Sequence, residues 1–298
     1  MNKETHHHHH RVSGKNLGIT ILLNVLITVA EGIGGIISGS MSLLSDAAHN
    51  FSDVLSLAIS YLANRLTGKK ATLKRTFGLK RSEILAAFIN SATLMGLAIA
   101  ILVEGIKRLY IPVTINSNWV IGLSLLSILV NGVSVLFVRN DAHDNINIKS
   151  AYLHLFSDML TSVAVLIGGL AMKYLQWNWV DAVFSILIAF YLLYSSWGIF
   201  KTSLKIFMQF SPDNIDINLI TRKLEALEGV RNIHHVHIWQ IDEHEIMFEA
   251  HVDVTNNISI SDFEVLLEKI KSTLADYGIN HITIQPEYSV PDNKQLIH

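Results

Sequence analysis

Between Leu17 and Phe200 the chain is an almost unbroken succession of apolar runs, each about as long as a hydrocarbon core is thick. Six can be drawn: Leu17–Ile37, Met41–Ala63, Ile84–Val103, Trp119–Val138, Ser150–Tyr174 and Trp179–Phe200. A backbone in hydrocarbon must satisfy its own N–H and C=O groups, so runs of about 20 residues fold there as helices. The sequence therefore predicts an α-helical membrane protein with six transmembrane helices. Composition agrees: 50% of the 298 residues are hydrophobic and 16% charged, where soluble domains carry about 25% charged residues. The net charge of −2 gives no electrostatic case for a nucleic-acid partner. There are no cysteines, which leaves imidazole, carboxylate and backbone oxygen as metal donors. The first apolar run lacks the small-residue cleavage site of a secretory signal.

After Phe200 the spanning runs stop, and Pro212 marks a boundary. Asp213–Glu228 has helical spacing, with Gly229 as its stop; Val230–Ile241 and Glu245–Val254 alternate as strands around a turn at Asp242–His244. A second helix is expected over Asp262–Tyr277, capped by Ser261 with Glu264 in the capping-box position, and a third strand over His281–Gln285. The order αββαβ predicts a small α+β, ferredoxin-like sheet. Its exposed edges and face make a dimer plausible. The expected division is an N-terminal arm over 1–16, a membrane domain over 17–210 and a tail domain over 211–298.

Basic residues in short loops orient the spans. The loop between the second and third runs carries Arg65, Lys69, Lys70, Lys74, Arg75, Lys80 and Arg81, with no acid from Arg65 to Arg81. With an even number of spans, both termini and the tail fall on that cytoplasmic side. The expected setting is a lipid bilayer, a bacterial plasma (inner) membrane.

Two of the runs carry the same unusual constellation. His49 and Asp53 in HNFSD, and His154 and Asp158 in HLFSD, are each four residues apart. On a helix such residues lie one above the other on one face. The second run has Asp46, His49, Asp53, Ser56 and Ser60 at steps of three or four, a polar stripe that must face a partner helix or a cavity. At 1.5 Å per residue, Asp53 and Asp158 lie roughly 18 and 12 Å from their helix ends, near the middle of the membrane. A single pair could be a local hydrogen bond that fixes a helix, and His–carboxylate chains also carry protons. Two near-copies make four ligands, the number tetrahedral Zn²⁺ takes, and two ionised Asp cancel its charge. Metal must displace protons from such groups, which points to an exchange cycle. Weaker polar signals are Asn24 and Glu31 in the first run, Asp46 one turn before His49, Asn131 in the fourth and Asp181 at the start of the sixth. They read as packing groups, or as supports or proton-pathway groups for the ligands.

These motifs resemble the cation diffusion facilitator family of zinc transporters. The likeness covers nearly the whole chain: six spans, HxxxD in the second and fifth, and a tail with HHVHIW and ITIQPE. It implies a homodimer that exports Zn²⁺, with Cd²⁺ or Co²⁺ as further substrates, by Zn²⁺/H⁺ antiport through alternating access around a site made of His49, Asp53, His154 and Asp158. It also implies a zinc site in the tail at His234, His251 and Glu287, with Zn²⁺ there as a regulatory ligand. Some members add a His from the second tail helix, which is missing here, and the basic loop has no His, nor an acid from Arg65 to Arg81, to hold metal. The run His6–His10 reads either as a metal-gathering arm or as an affinity tag. Rival classes are a membrane-bound metal sensor signalling through its tail and an intramembrane metalloprotease. The latter would need an HExxH-type motif, which is absent from the chain. The expectation is therefore a transporter and not an enzyme.

Overall fold

The computed structural model describes residues 14–68, 70–139, 146–242 and 244–297. The arm with His6–His10 lies outside the described residues. Six long helices come first: α1 (Gly14–Ser38), α2 (Met41–Thr67), α3 (Arg81–Tyr110), α4 (Ser117–Arg139), α5 (Ile146–Leu175) and α6 (Trp179–Phe207). Each contains its expected apolar run and extends past at least one end of it. Among the described residues α3, α4, α5 and α6 are long and apolar enough to cross a membrane. α2 has the length but falls short in apolarity because its polar stripe occupies one face.

Close packing of the helices rests on small residues. A Cβ on Gly34 of α1 would collide with Leu123 Cδ1 of α4. On Gly169 of α5 it would lie 3.0 Å from Ile121 of α4. α4 thus lies along both α1 and α5, as interhelical contact in lipid favours. Gly39 turns the chain from α1 to α2 at φ +72, a region that L side chains avoid.

The tail elements are α7 (Ile217–Glu225), β1 (Val230–Gln240), β2 (Ile246–Val254), α8 (Ile260–Ala275) and β3 (His281–Glu287). The expected αββαβ order holds, with three corrections. α7 is shorter at both ends than Asp213–Glu228, because the Asp216 carboxylate accepts the Leu219 amide at 3.2 Å and starts the helix there. The α8 cap is Ser259, not Ser261: its Oγ accepts the Asp262 amide at 3.1 Å and donates to the Asp262 carboxylate at 2.7 Å. Asp262, rather than Glu264, is thereby the reciprocal partner. β3 runs two residues further, to Glu287.

The sheet order is β1-β2-β3, with β1 and β2 antiparallel and β2 and β3 parallel. Ile220, Leu224, Ile233, Phe248, Val252, Ile270 and Leu274 form its buried core. Between His234 and His237 the register slips, and His235 takes φ +53. This bulge turns two β1 amides outward. His235 N–H donates to Gln295 O at 3.1 Å and Val236 N–H to Leu296 O at 2.8 Å, so the C-terminal segment lies along the β1 edge.

Two compact units are present, one of residues 1–59 and 89–198 and one of residues 60–88 and 199–298. In the second, Lys80 is paired with Glu245 at the β1–β2 turn. The Phe77 ring meets His281 at 6.0 Å between centroids.

Candidate metal centres

The four residues singled out in α2 and α5 converge. His49 Nε2 is 3.7 Å from Asp53 Oδ2 and 3.4 Å from Asp158 Oδ1. His154 Nε2 is 3.2 Å from Asp53 Oδ2 and 3.6 Å from Asp158 Oδ2. Each imidazole thus faces both carboxylates, one on its own helix and one on the other. Bonds of 2.0–2.2 Å to a tetrahedral Zn²⁺ put neighbouring donors about 3.3–3.6 Å apart. The observed His–Asp separations bracket that edge length. His49, Asp53 and Asp158 each offer an atom within 4.8 Å of the other two. His154 faces both carboxylates but stands outside this mutually close set, on the more open side, with its ring centroid 6.0 Å from that of His49.

Burial is uneven around the site. The side chains of His49 and Asp158 are 12% and 3% exposed, those of Asp53 and His154 34% and 43%. Asp53 is one turn further along α2, and His154 one turn earlier along α5. Both open ligands therefore point to the end of the helices where the basic loop follows α2. The His49 ring also packs edge-on to Tyr191 of α6 at 5.9 Å.

Behind the ligands runs a buried polar network. Ser162 of α5 donates to Asp46 Oδ2 at 3.3 Å or to the Asp158 carbonyl at 3.0 Å, and lies 2.8 Å from Ser127 of α4. Asn50 donates to Glu31 Oε2 at 3.1 Å. Asp46 and Glu31 are fully buried. Asp46 Oδ1 and Glu31 Oε1 each lack a hydrogen-bond partner among the described residues. Sequence reasoning named these two acids but missed Asn50 and Ser127. Ser162 sits one turn beyond Asp158, on the same face of α5.

Asn24 and Asn131 are not brought into the ligand ring. Asn24 Oδ1 and Asn131 Nδ2 are buried without a hydrogen-bond partner among the described residues. Asp181 lies elsewhere, at the first turn of α2. Its carboxylate accepts Ser40 Oγ at 2.5 Å, the Met41 amide at 2.7 Å, the Ser42 amide at 3.2 Å and Ser42 Oγ at 2.6 Å. Arg108 of α3 stands 4.0 Å away and donates to Gly39 O. A carboxylate on the free amides of a helix start is the favoured charge there. Asp181 thus fixes where the helix carrying His49 and Asp53 begins.

The tail forms a second cluster. His234 of β1 and His251 of β2 are register partners, and Glu287 ends the neighbouring β3. His234 Nε2 is 3.3 Å from Glu287 Oε2, and His251 Nδ1 is 2.8 Å from Glu287 Oε1. Asp292, in the segment after β3, reaches His234 Nε2 at 3.2 Å. These four residues offer donor atoms mutually within 4.8 Å, a nitrogen-and-oxygen set that fits Zn²⁺. Asp253, buried, adds a carboxylate 3.8 Å from His234 Nδ1. Sequence reasoning missed Asp253, Asp292 and a lysine, Lys294. Burial pushes the Glu287 carboxyl up, but the Lys294 ammonium outweighs it and holds the group below its ordinary range. The hydrogen bond from Lys294 also holds Asp292 low. Burial works against the Lys294 ammonium, yet its three carboxylate neighbours hold it well above the ordinary lysine range.

Comparison with known proteins agrees with this geometry. The cation efflux transmembrane domain family matches residues 17–208, and the cation efflux protein cytoplasmic domain family matches residues 212–289. The cadmium, cobalt and zinc/H(+)-K(+) antiporter of Bacillus subtilis is 37% identical over 97% of this chain and 94% of its own length. The metal cation efflux system protein CzcD of Cupriavidus metallidurans is 34% identical, covering 94% of this chain and 89% of its own. Zinc transporter ZitB of Escherichia coli is also 34% identical, covering 87% and 83%. With both its membrane and tail portions matched, the chain belongs to the cation efflux, or cation diffusion facilitator, family of transporters.

Proposed function

We propose that this protein exports Zn²⁺ from the cytoplasm in exchange for protons, with His49, Asp53, His154 and Asp158 as the transport site. The relatives' names extend the substrate class to Cd²⁺ and Co²⁺. The observation that carries the reading is the set of four His–Asp separations, 3.2, 3.4, 3.6 and 3.7 Å, matched to the edge of a zinc tetrahedron. Two carboxylates offset the charge of the dication in a region where an unpaired ion is costly. Protons compete for all four ligands, so metal affinity falls as pH falls. Export against protons follows if the site meets the cytoplasm when deprotonated and the outside when protons take the ligands.

In this arrangement the membrane domain spans residues 17–210 and the tail 211–298, with the basic α2–α3 loop, both termini and the tail in the cytoplasm. The more exposed Asp53 and His154 then face the cytoplasm, and the conformation is the one that loads metal. Glu31 and Asp46 are placed to exchange protons with the ligands, and Asn24 and Asn131 to line the cavity. The protein works as a homodimer joined through the tail. His234, His251 and Glu287 hold a regulatory Zn²⁺ that biases the access equilibrium through its different affinity for the two states. The sensor alternative gains nothing from an exposed ligand pair in mid-membrane.

Purified protein in liposomes loaded with a zinc dye tests the reading. Wild type fills the liposomes when the lumen is acidic, so that protons leave as metal enters, whereas Asp53→Ala reduces flux at least a hundredfold while thermal stability stays within a few degrees. Native-rate flux through Asp53→Ala would remove the transport-site assignment.

A further inference from the structure

The tail cluster already contains a cation of its own. Lys294 Nζ donates to Asp253 Oδ1 at 3.1 Å and to Glu287 Oε2 at 3.0 Å, pairs with Asp292, and lies 3.4 Å from His234 Nε2. Three of those four groups are buried: His234, Asp253 and Glu287. They come from all three strands. The lysine comes from the segment after β3, seated on β1 by the Gln295 and Leu296 carbonyls and turned by Asn293, whose Oδ1 accepts the Gln295 amide at 3.1 Å. Leu296 packs against the tail core. The placement of the ammonium is thus built by backbone and packing as well as by charge.

We propose that Lys294 sets the metal affinity of the tail site by acting as a tethered competitor: its ammonium and a divalent ion draw on the same donor atoms. This rests on the tail-site reading above. His234 Nε2 has one lone pair when it ligates a metal, and that nitrogen faces Lys294 at 3.4 Å, Asp292 at 3.2 Å and Glu287 at 3.3 Å. An ion about 2.1 Å from Nε2 and from Glu287 Oε2 occupies the space the ammonium now fills. Charge works the same way. Asp253, Glu287 and Asp292 together attract any cation, and the covalently attached one is present at a high effective concentration. Metal therefore enters by expelling Lys294, and the tail site answers only to metal concentrations above those that the bare His–carboxylate set would register. Lysine suits this task because its stem is flexible and its charge is a compact point.

The test is zinc titration of the full-length protein in detergent by calorimetry. Lys294→Met and Lys294→Gln, which keep the length of the stem without the charge, bind zinc at the tail at least tenfold more tightly than wild type. Lys294→Arg, which keeps the charge, stays within about threefold of wild type. Glu287→Ala identifies the tail component of the isotherm by removing it. If the isotherm of Glu287→Ala matches wild type, the tail-site reading is lost and this proposal with it. If Glu287→Ala removes a component but Lys294→Met and Lys294→Gln bind no tighter than wild type, the tail site stands and the competitor role is overturned.

Discussion

At the scale of single residues, the chain uses the same carboxylate chemistry for two different tasks. Asp53 and Asp158 face imidazoles across a helix pair, whereas Asp181 faces backbone amides at a helix start. Sequence spacing identified the first use, because four residues on a helix is a geometric statement. It grouped Asp181 with the ligands' supports, because nothing local says which end of another helix a lone acid will meet. Its partners Ser40 and Ser42 are about 140 residues away in sequence. Replacing Asp181 with Asn removes a charged acceptor from two amides and two hydroxyls and leaves Arg108 less compensated. A loss of about 2–3 kcal/mol is expected from capping and buried-donor costs. Thermal unfolding of the solubilised protein should show it, together with weaker zinc binding at the α2–α5 site as the first turn of α2 loosens.

At the scale of elements, the six helices were readable because hydrocarbon imposes one solution on a long apolar run. The tail strands were readable from their alternation; Gly229 and Gly278, with φ of +99 and +76, lie in the turns that follow the two tail helices, which end earlier, at Glu225 and Ala275. What escaped was the residue-level register: the β1 bulge, the Ser259 cap and the return of residues 292–296 along β1. The bulge and the return depend on contacts between positions far apart in the chain, whereas the cap is a local choice between Ser259 and Ser261. The acid-sensitivity of that return segment follows from its ion pairs. Glu287 and Asp292 titrate below their ordinary values when folded, so their contribution is complete above the unfolded pKa values of about 4 and fades as pH falls through the lower folded ones. Lys294, raised when folded, contributes fully below its unfolded pKa of about 10.4. Hydrogen exchange at the His235 and Val236 amides should therefore be slow from neutrality to about pH 4.5. Below about pH 4 their protection factors should drop, ahead of the sheet amides between β2 and β3.

At the scale of the whole molecule, the unit made of residues 60–88 and 199–298 ties the α2–α3 loop to the tail through Lys80 and Glu245. α2 and α3 run on from that unit into the one that carries the ligands. A partly exposed ion pair contributes up to about 1 kcal/mol, enough to shift a two-state equilibrium about fivefold and too little to hold the tail by itself. Lys80→Glu should therefore change the response of transport to tail zinc by a few fold without abolishing transport. The reversed pair Lys80→Glu with Glu245→Lys should recover the wild-type response in the same liposome assay. Loss of all transport in Lys80→Glu would assign this lysine a different role. The sequence showed the basic loop only as a topology signal. Its link to the tail could not be read, because the partner lies 165 positions away.

The bulge at His235 has a consequence beyond metal. By turning two amides of the edge strand β1 toward the chain's own final residues, it gives that edge a self-supplied border. A bare strand margin would invite neighbouring copies, held at high density in a membrane plane, to zip together sheet to sheet. At this edge, association of the tails is then left to side-chain surfaces, which can recognise one partner geometry, instead of to backbone, which recognises any strand.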